Sequence, residues 1–296
     1  MFSRRTFLAT SAGAMAVAAC RPVEDPPVVG RKIDQIGIQT YTLRDSMQAD
    51  MPATLAMIKR AGYDYVELNR RDFAEISPQT LIDRVKAAGL YAPSTHLSYD
   101  PVRTSTADMV ATCKTLGCEY GIIPWMDESQ RELEDWKRHA RVFNEAGKMF
   151  ADNGLRLAYH NHQFEFDDLG GGTTAMQVLL ENTNPDFVDF QLDIFWAVLG
   201  GINLPELFKE NPGRFKLSHI KDMKGDPASY RNNPDYADIS KSIMVNVGEG
   251  NIDFASVFAL NDTSGMEYFI TEHDALQAPF EASIKTSQDA VRALRF

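Results

Sequence analysis

The chain has 296 residues, with 41 acidic against 30 basic side chains and a formal net charge of −11. That balance opposes nucleic-acid binding, whose affinity comes largely from neutralised phosphates. The weakly apolar run from Ala9 to Ala19 is too short to cross a bilayer as a helix.

The first twenty residues read as an export signal. Ser3-Arg4-Arg5-Thr6-Phe7-Leu8 places paired arginines ahead of that run, the pattern of twin-arginine export. Val17-Ala18-Ala19-Cys20 has the form of a lipoprotein cleavage box, which would leave Cys20 lipidated at a new N-terminus. Ordinary cleavage after a small residue is the alternative. The mature protein is then expected to be periplasmic or membrane-anchored, touching membrane only through that lipid. Without Arg4 and Arg5 it would carry 28 basic and 41 acidic residues, a net charge of −13. Residues 21–32, with three prolines, read as an extended linker. Cys113 and Cys118 are expected to be small core residues rather than a disulfide.

From residue 33 onward one phrase recurs: a helical run, a glycine, a short apolar strand. Examples are IKRAGYDYVEL (58–68), CKTLGCEYGIIPW (113–125) and MFADNGLRLAYH (149–160). With IDQIGIQTYTL (33–43) first and PDFVDFQLDIFW (185–196) before the seventh unit, eight strands are predicted. Helices are predicted near 52–61, 78–88, 104–116, 130–152, 173–182, 203–210, 252–260 and 281–294. Alternating strands and helices imply parallel pairing, and no glycine-rich phosphate loop follows the first strand. The expected fold of residues 33–296 is therefore an α/β protein of one domain, a closed (β/α)8 barrel.

In such a barrel, chemistry sits where the strands end. Those ends here are Gln39, Glu67, His96, Trp125, His160 with His162, Asp193, His219 and Glu272. Asp193, His219 and Glu272, with a ligand from strand five, make four nitrogen and oxygen donors from successive strands. Neutral imidazole with carboxylate suits Mn, Zn, Co or Mg, and no thiolate argues for a softer ion. Lys221 follows His219 by two and points to the same side, either to bind a sugar oxygen or to pair with a carboxylate. Two long loops stand out. Asp222 to Glu249 is a plausible lid or oligomer contact, and Gln163 to Gly172 ends in three glycines that could flex over the site.

The motifs GIQTYTLRD, APSTH, AYHNHQFEF, LDIFW, HIKDM and VGEGNIDF resemble the sugar phosphate isomerase/epimerase group of xylose isomerase-like barrels. The resemblance runs over about residues 33–296. It implies one divalent metal held by Asp193, His219 and Glu272, with a fourth ligand from strand five. Relatives commonly carry a glutamate there. This chain has His160, which is the expected ligand, with Glu165 as the alternative. The implied chemistry is proton abstraction beside a carbonyl, giving isomerisation, epimerisation or β-elimination. Glu272, Glu165 and His162 are the expected proton carriers. His96, Lys221, Trp125, Trp196, Gln39 and Glu67 are the expected substrate contacts, though either tryptophan could be core and His162 structural. Export and the lack of a dedicated phosphate site favour a free sugar or keto-glycoside. An inactive sugar-binding lipoprotein on the same barrel is the competing expectation.

Overall fold

Eight short strands, nearly all of their residues buried, close on one another and leave no edge. In the computed structural model, which describes residues 30–231 and 241–296, all eight are parallel. They are β1 (Gly37–Gln39), β2 (Tyr65–Asn69), β3 (Ser94–His96), β4 (Tyr120–Ile123), β5 (Arg156–His160), β6 (Val188–Asp193), β7 (Phe215–Ile220) and β8 (Tyr268–Thr271). β8 closes the ring by pairing Ile270 with Gly37 and Thr271 with Ile38. The expected signal and nearly all of the linker lie outside the described residues, as does the centre of the 222–249 loop.

The helices between the strands begin and end where local chemistry dictates. Asp50 and Ser77 cap helices Met51–Arg60 and Pro78–Ala87, each of which carries a proline in its first turn. Gly117 and Gly265 stop their helices in the left-handed conformation, with φ of 72° and 84°. The remaining large helices are Thr106–Leu116, Leu133–Ala151, Ala175–Asn182, Leu204–Glu210, Phe254–Ala259 and Phe280–Ala293. All eight fall within a few residues of their predicted positions.

Inside the ring the side chains form layers. Tyr65, Tyr120, Ile122, Ala158, Leu217 and Ile270 fill the lower half as one apolar cluster. Gly37 is required there, because a Cβ would lie 2.1 Å from the Tyr65 ring. Above this plug the inward residues turn polar, and register sets them side by side. Asp193 pairs with His219, His160 with Gln191, and Asn69 with His96.

Three expectations need correction. Of residues 33–43 only Gly37–Gln39 is strand, and Thr40–Leu43 coil into a 3-10 turn. The stretch 185–196 ends as strand at Asp193, whose side chain caps a short helix, Ile194–Leu199. The long loop after β7 is not structureless at its ends: Asp222–Met223 pairs antiparallel with Met244–Val245. Its expected role as a lid or oligomer contact centres on residues 232–240, outside the described residues. Cys113 and Cys118 are free, buried thiols, and burial pushes the Cys113 thiol up to about 12.

Candidate functional site

A pocket of about 710 Å³ opens at the carboxyl ends of the strands. Its floor is built from residues that alternate inward on adjacent strands. His160 ends β5, Asp193 ends β6, His219 lies one residue before the end of β7, and Glu272 directly follows β8. His160 Nε2 is 4.0 Å from Asp193 Oδ2. His219 Nδ1 is 3.9 Å from the same oxygen and 2.7 Å from Glu272 Oε2. Asp193, His219 and Glu272 present one donor atom each within 4.8 Å of one another, as do His96, His160 and His219. Of these two groups the carboxylate-bearing one is the better cage, since His96 Nε2 is already engaged by Gln191 Oε1 at 3.0 Å and Glu67 Oε1 at 2.9 Å.

The histidines are oriented from below. Glu67 Oε1 accepts from His219 Nε2 at 2.6 Å, which leaves Nδ1 aimed at the carboxylates. Gln191 Oε1 accepts from His160 Nδ1 at 3.1 Å, which leaves Nε2 facing Asp193. Gln191 cannot swing, because its Nε2 donates to Glu67 Oε2 at 2.7 Å. This is how proteins fix the tautomer and direction of metal-binding imidazoles. Asn161 ties the strand ends together, its Oδ1 accepting from the Asp193 N–H and its Nδ2 donating to the Asp193 carbonyl.

The electrostatics favour a cation. Asp193, Glu272 and Asp274 surround Lys221. Burial alone would lower the Lys221 ammonium, but Asp193, Asp274 and Glu272 outweigh it and hold it well above its ordinary value. Its Nζ lies 3.1 Å from Asp193, 2.8 Å from Glu272 and 3.0 Å from Asp274. His219 is likewise pushed up to about 10, against burial, by Glu272 and Glu67. An imidazole that holds a proton so tightly marks a strongly negative spot. Asp193 is raised to about 6 by burial, with Lys221 and His219 opposing.

Side-chain polar atoms that are buried without a hydrogen bond are rare in folded proteins. Among the described residues there are five: Asp193 Oδ2 and His219 Nδ1 in the carboxylate-bearing group, His162 Nδ1 and Trp196 Nε1 on residues that line the pocket, and Arg214 Nε elsewhere. Asp193 Oδ2 and His219 Nδ1 have charged neighbours at ion-pair distance without hydrogen-bond geometry. Asp193, His219 and Glu272 could therefore hold a divalent cation, with His160 4.0 Å from Asp193 beside them.

The fold and the set of strand-end residues can now be placed among known proteins. A profile described as the xylose isomerase-like TIM barrel matches residues 55–294. The chain belongs to that family. An inosose dehydratase of Clostridium botulinum (strain Alaska E43 / Type E3) is 27% identical over 165 residues, covering 52% of this chain and 53% of the relative. The chain thus spans about half the length of the curated relatives it matches. A sugar phosphate isomerase/epimerase from Parabacteroides distasonis ATCC 8503 superposes with a TM-score of 0.72 and 24% identity, over 90% of this chain and 98% of the other. The IolI protein, solved with a zinc atom, superposes with a TM-score of 0.64 and 19% identity, over 86% of this chain and 96% of the other.

Within this xylose isomerase-like barrel the expected site residues divide into two groups. His96, Trp125, His160, His162, Trp196, Lys221 and Glu272 line the pocket. Trp125, two residues past β4, is 44% exposed at the mouth, with His162 and Phe164 edge-on to it and the Arg131 guanidinium over its ring. Gln39 and Glu67, expected to touch substrate, lie beneath the floor instead. Gln39 gives its Nε2–H to Glu67, and its Oε1 accepts from Thr40 and Tyr41. Glu67 accepts from Gln39, Ser94, His96, Gln191 and His219. Gln191 was missed from the sequence, although it precedes Asp193 by two and so shares its face. Asp274, two after Glu272, was missed for lack of the same step.

Glu165, expected as proton carrier or alternative ligand, is turned into the barrel wall. It accepts from the Tyr159 hydroxyl at 2.5 Å and the His162 N–H at 2.7 Å, and it is fully buried outside the pocket lining. Burial raises its carboxyl to about 7, with Tyr159 and the His162 N–H opposing. A raised acid stabilises the fold fully below its unfolded value, near 4.5, and that contribution is lost as pH rises through about 7. Relative to Glu165→Gln, which stays neutral throughout, the native chain should lose up to about 3 kcal/mol between those pH values. Urea midpoints of the two proteins at pH 5 and pH 8 measure this; parallel slopes would clear Glu165 as the source.

Proposed function

We propose that this barrel is a divalent-metal-dependent enzyme that removes a proton beside the carbonyl of a free sugar or keto-glycoside. The outcome would be isomerisation, epimerisation or β-elimination. One observation carries the reading: Asp193, His219 and Glu272 bring one donor atom each within 4.8 Å of one another, and Asp193 Oδ2 and His219 Nδ1 are buried there without a hydrogen bond. The inosose dehydratase relatives act, by their name, in dehydration, which is an elimination of the proposed type. The twin arginines and Cys20 support export, where free sugars are the expected chemistry.

A bound divalent ion would supply a Lewis acid that polarises the carbonyl and a neighbouring hydroxyl oxygen. The chain's own residues do the rest. Burial, reinforced by the Lys221 charge, holds His162 well below its ordinary value, so the imidazole that lines the pocket is neutral. Lys221, whose three N–H groups face three carboxylates, holds Asp193, Glu272 and Asp274 in place around the pocket. Trp196 offers an unpaired Nε1–H, and Trp125 a flat face for the ring.

Metal analysis of the purified protein should find one divalent ion per chain. With a panel of keto sugars and glycosides in deuterated water, the carbon-bound hydrogen next to the carbonyl should exchange. Tight sugar binding with no exchange across the panel would favour a carrier instead.

A further inference from the structure

We propose that the sugar carries a carboxylate that seats against Arg44 and Arg71 on the β1–β2 side of the pocket mouth. This rests on the sugar-acting reading above and narrows its substrate class.

The pocket's charge runs against that of the chain. Arg44, Arg71, Lys221 and Lys241 line it, against two carboxylates, Glu272 and Asp274, in a protein of net charge −11. Both carboxylates are taken up by Lys221, at 2.8 and 3.0 Å. The rim arginines are held by neutral acceptors. Arg44 lies 4.5 Å over the Tyr41 ring and gives Nη1–H to the Tyr41 and Asp274 carbonyls, both at 3.2 Å. Arg71 gives Nε–H to Asn69 Oδ1 at 3.2 Å. The carboxylate that both feel, Asp72, makes its hydrogen bond to Asn69 at 2.9 Å instead.

Two guanidiniums fixed by carbonyl, amide and aromatic groups keep their full charge and their remaining donors. That is the arrangement suited to bidentate recognition of a planar carboxylate or a phosphate. A neutral sugar would leave this charge unused, whereas an acidic one would meet it while the cage engages the carbonyl end.

The test is calorimetric binding to the full-length, metal-loaded protein of D-glucuronate, D-glucose 6-phosphate and D-glucose. D-glucuronate should bind about tenfold or more tightly than glucose, and the advantage should shrink with added salt. In Arg44→Gln/Arg71→Gln that advantage should vanish, while glucose binding and metal content stay as in the native protein. The exposed Arg71→Gln alone should lose part of it, which guards against a folding defect. A gain confined to D-glucose 6-phosphate would overturn the proposal in favour of a phosphate. Equal binding of all three sugars, or a gain that survives the double substitution, would overturn the proposal. Because binding is read without turnover, a failure of deuterium exchange would leave this result standing, and exchange on neutral sugars alone would sink it while sparing the catalytic reading.

Discussion

Asparagine in place of Asp193 is expected to strip the divalent ion from the protein and to lower carbon–hydrogen exchange by about 10²–10³-fold or more. The two carboxylate oxygens have separate duties, which makes this substitution informative. Oδ1 accepts the Trp196 N–H at 3.0 Å and so caps the helix Ile194–Leu199. Oδ2 faces His219 and Lys221 and completes no hydrogen bond. Asparagine can keep the cap with its carbonyl, but it then turns an amide NH2 toward the Lys221 ammonium and the cage, where it cannot ligate. Lys221 retains Glu272 and Asp274, so the charge left behind is not orphaned. Alanine would be a poorer probe, since it also removes the cap, worth about 1 kcal/mol. Metal content by elemental analysis and exchange by mass spectrometry, beside an unchanged unfolding midpoint, are the readouts. Full metal and full exchange in Asp193→Asn would dismantle the cage.

The residues that end strands were legible because a barrel converts sequence position into height. An inward residue at the end of an apolar strand has nowhere to point but the mouth, which is why His96, His160, Asp193, His219 and Glu272 could be named beforehand. The helix Ile194–Leu199 was hidden for the opposite reason. Its residues are apolar on nearly every side, and five of the six are buried, so period two and period 3.6 look alike. Glu165 misled because sequence spacing brings it near the site while a single 3-10 turn, Phe164–Phe166, rotates it into the wall. Arg44 and Arg71 gave no signal, since each follows its strand by only a few residues and a charged loop is the ordinary case. Glu67 was the hardest. Its donors come from positions 28, 27, 29, 124 and 152 residues away in the chain, and no local pattern encodes a meeting of that kind.

Glutamine in place of Glu67 is expected to lower metal affinity by about 10–100-fold, although Glu67 touches neither the ion's place nor the pocket. The reason is acceptor capacity. A buried carboxylate offers about four lone-pair sites and no donor, and here it receives N–H and O–H groups from Gln39, Ser94, His96, Gln191 and His219. An amide has one accepting oxygen and must point an NH2 at part of that ring of donors. With its oxygen toward Ser94 and Gln191, His219 Nε2 loses the partner that keeps Nδ1 turned to the cage. With its oxygen toward the histidines, Gln191 faces an opposing donor and can be satisfied only by flipping, which takes the acceptor away from His160. Either way one of the two imidazole ligands is no longer aimed. His96 and His219 now hold the Glu67 carboxyl well below its ordinary value despite burial, so the fold should also lose on the order of 3–5 kcal/mol. Proton competition works in the other direction. Without the Glu67 charge, His219 gives up its proton more readily, which on its own would help metal to bind in acid. The loss of affinity should therefore be larger at pH 8 than at pH 6. Metal titration of Glu67→Gln at both values reads this split, and a uniform loss at the two would mean that the substitution had loosened the barrel without disturbing the aim of its histidines.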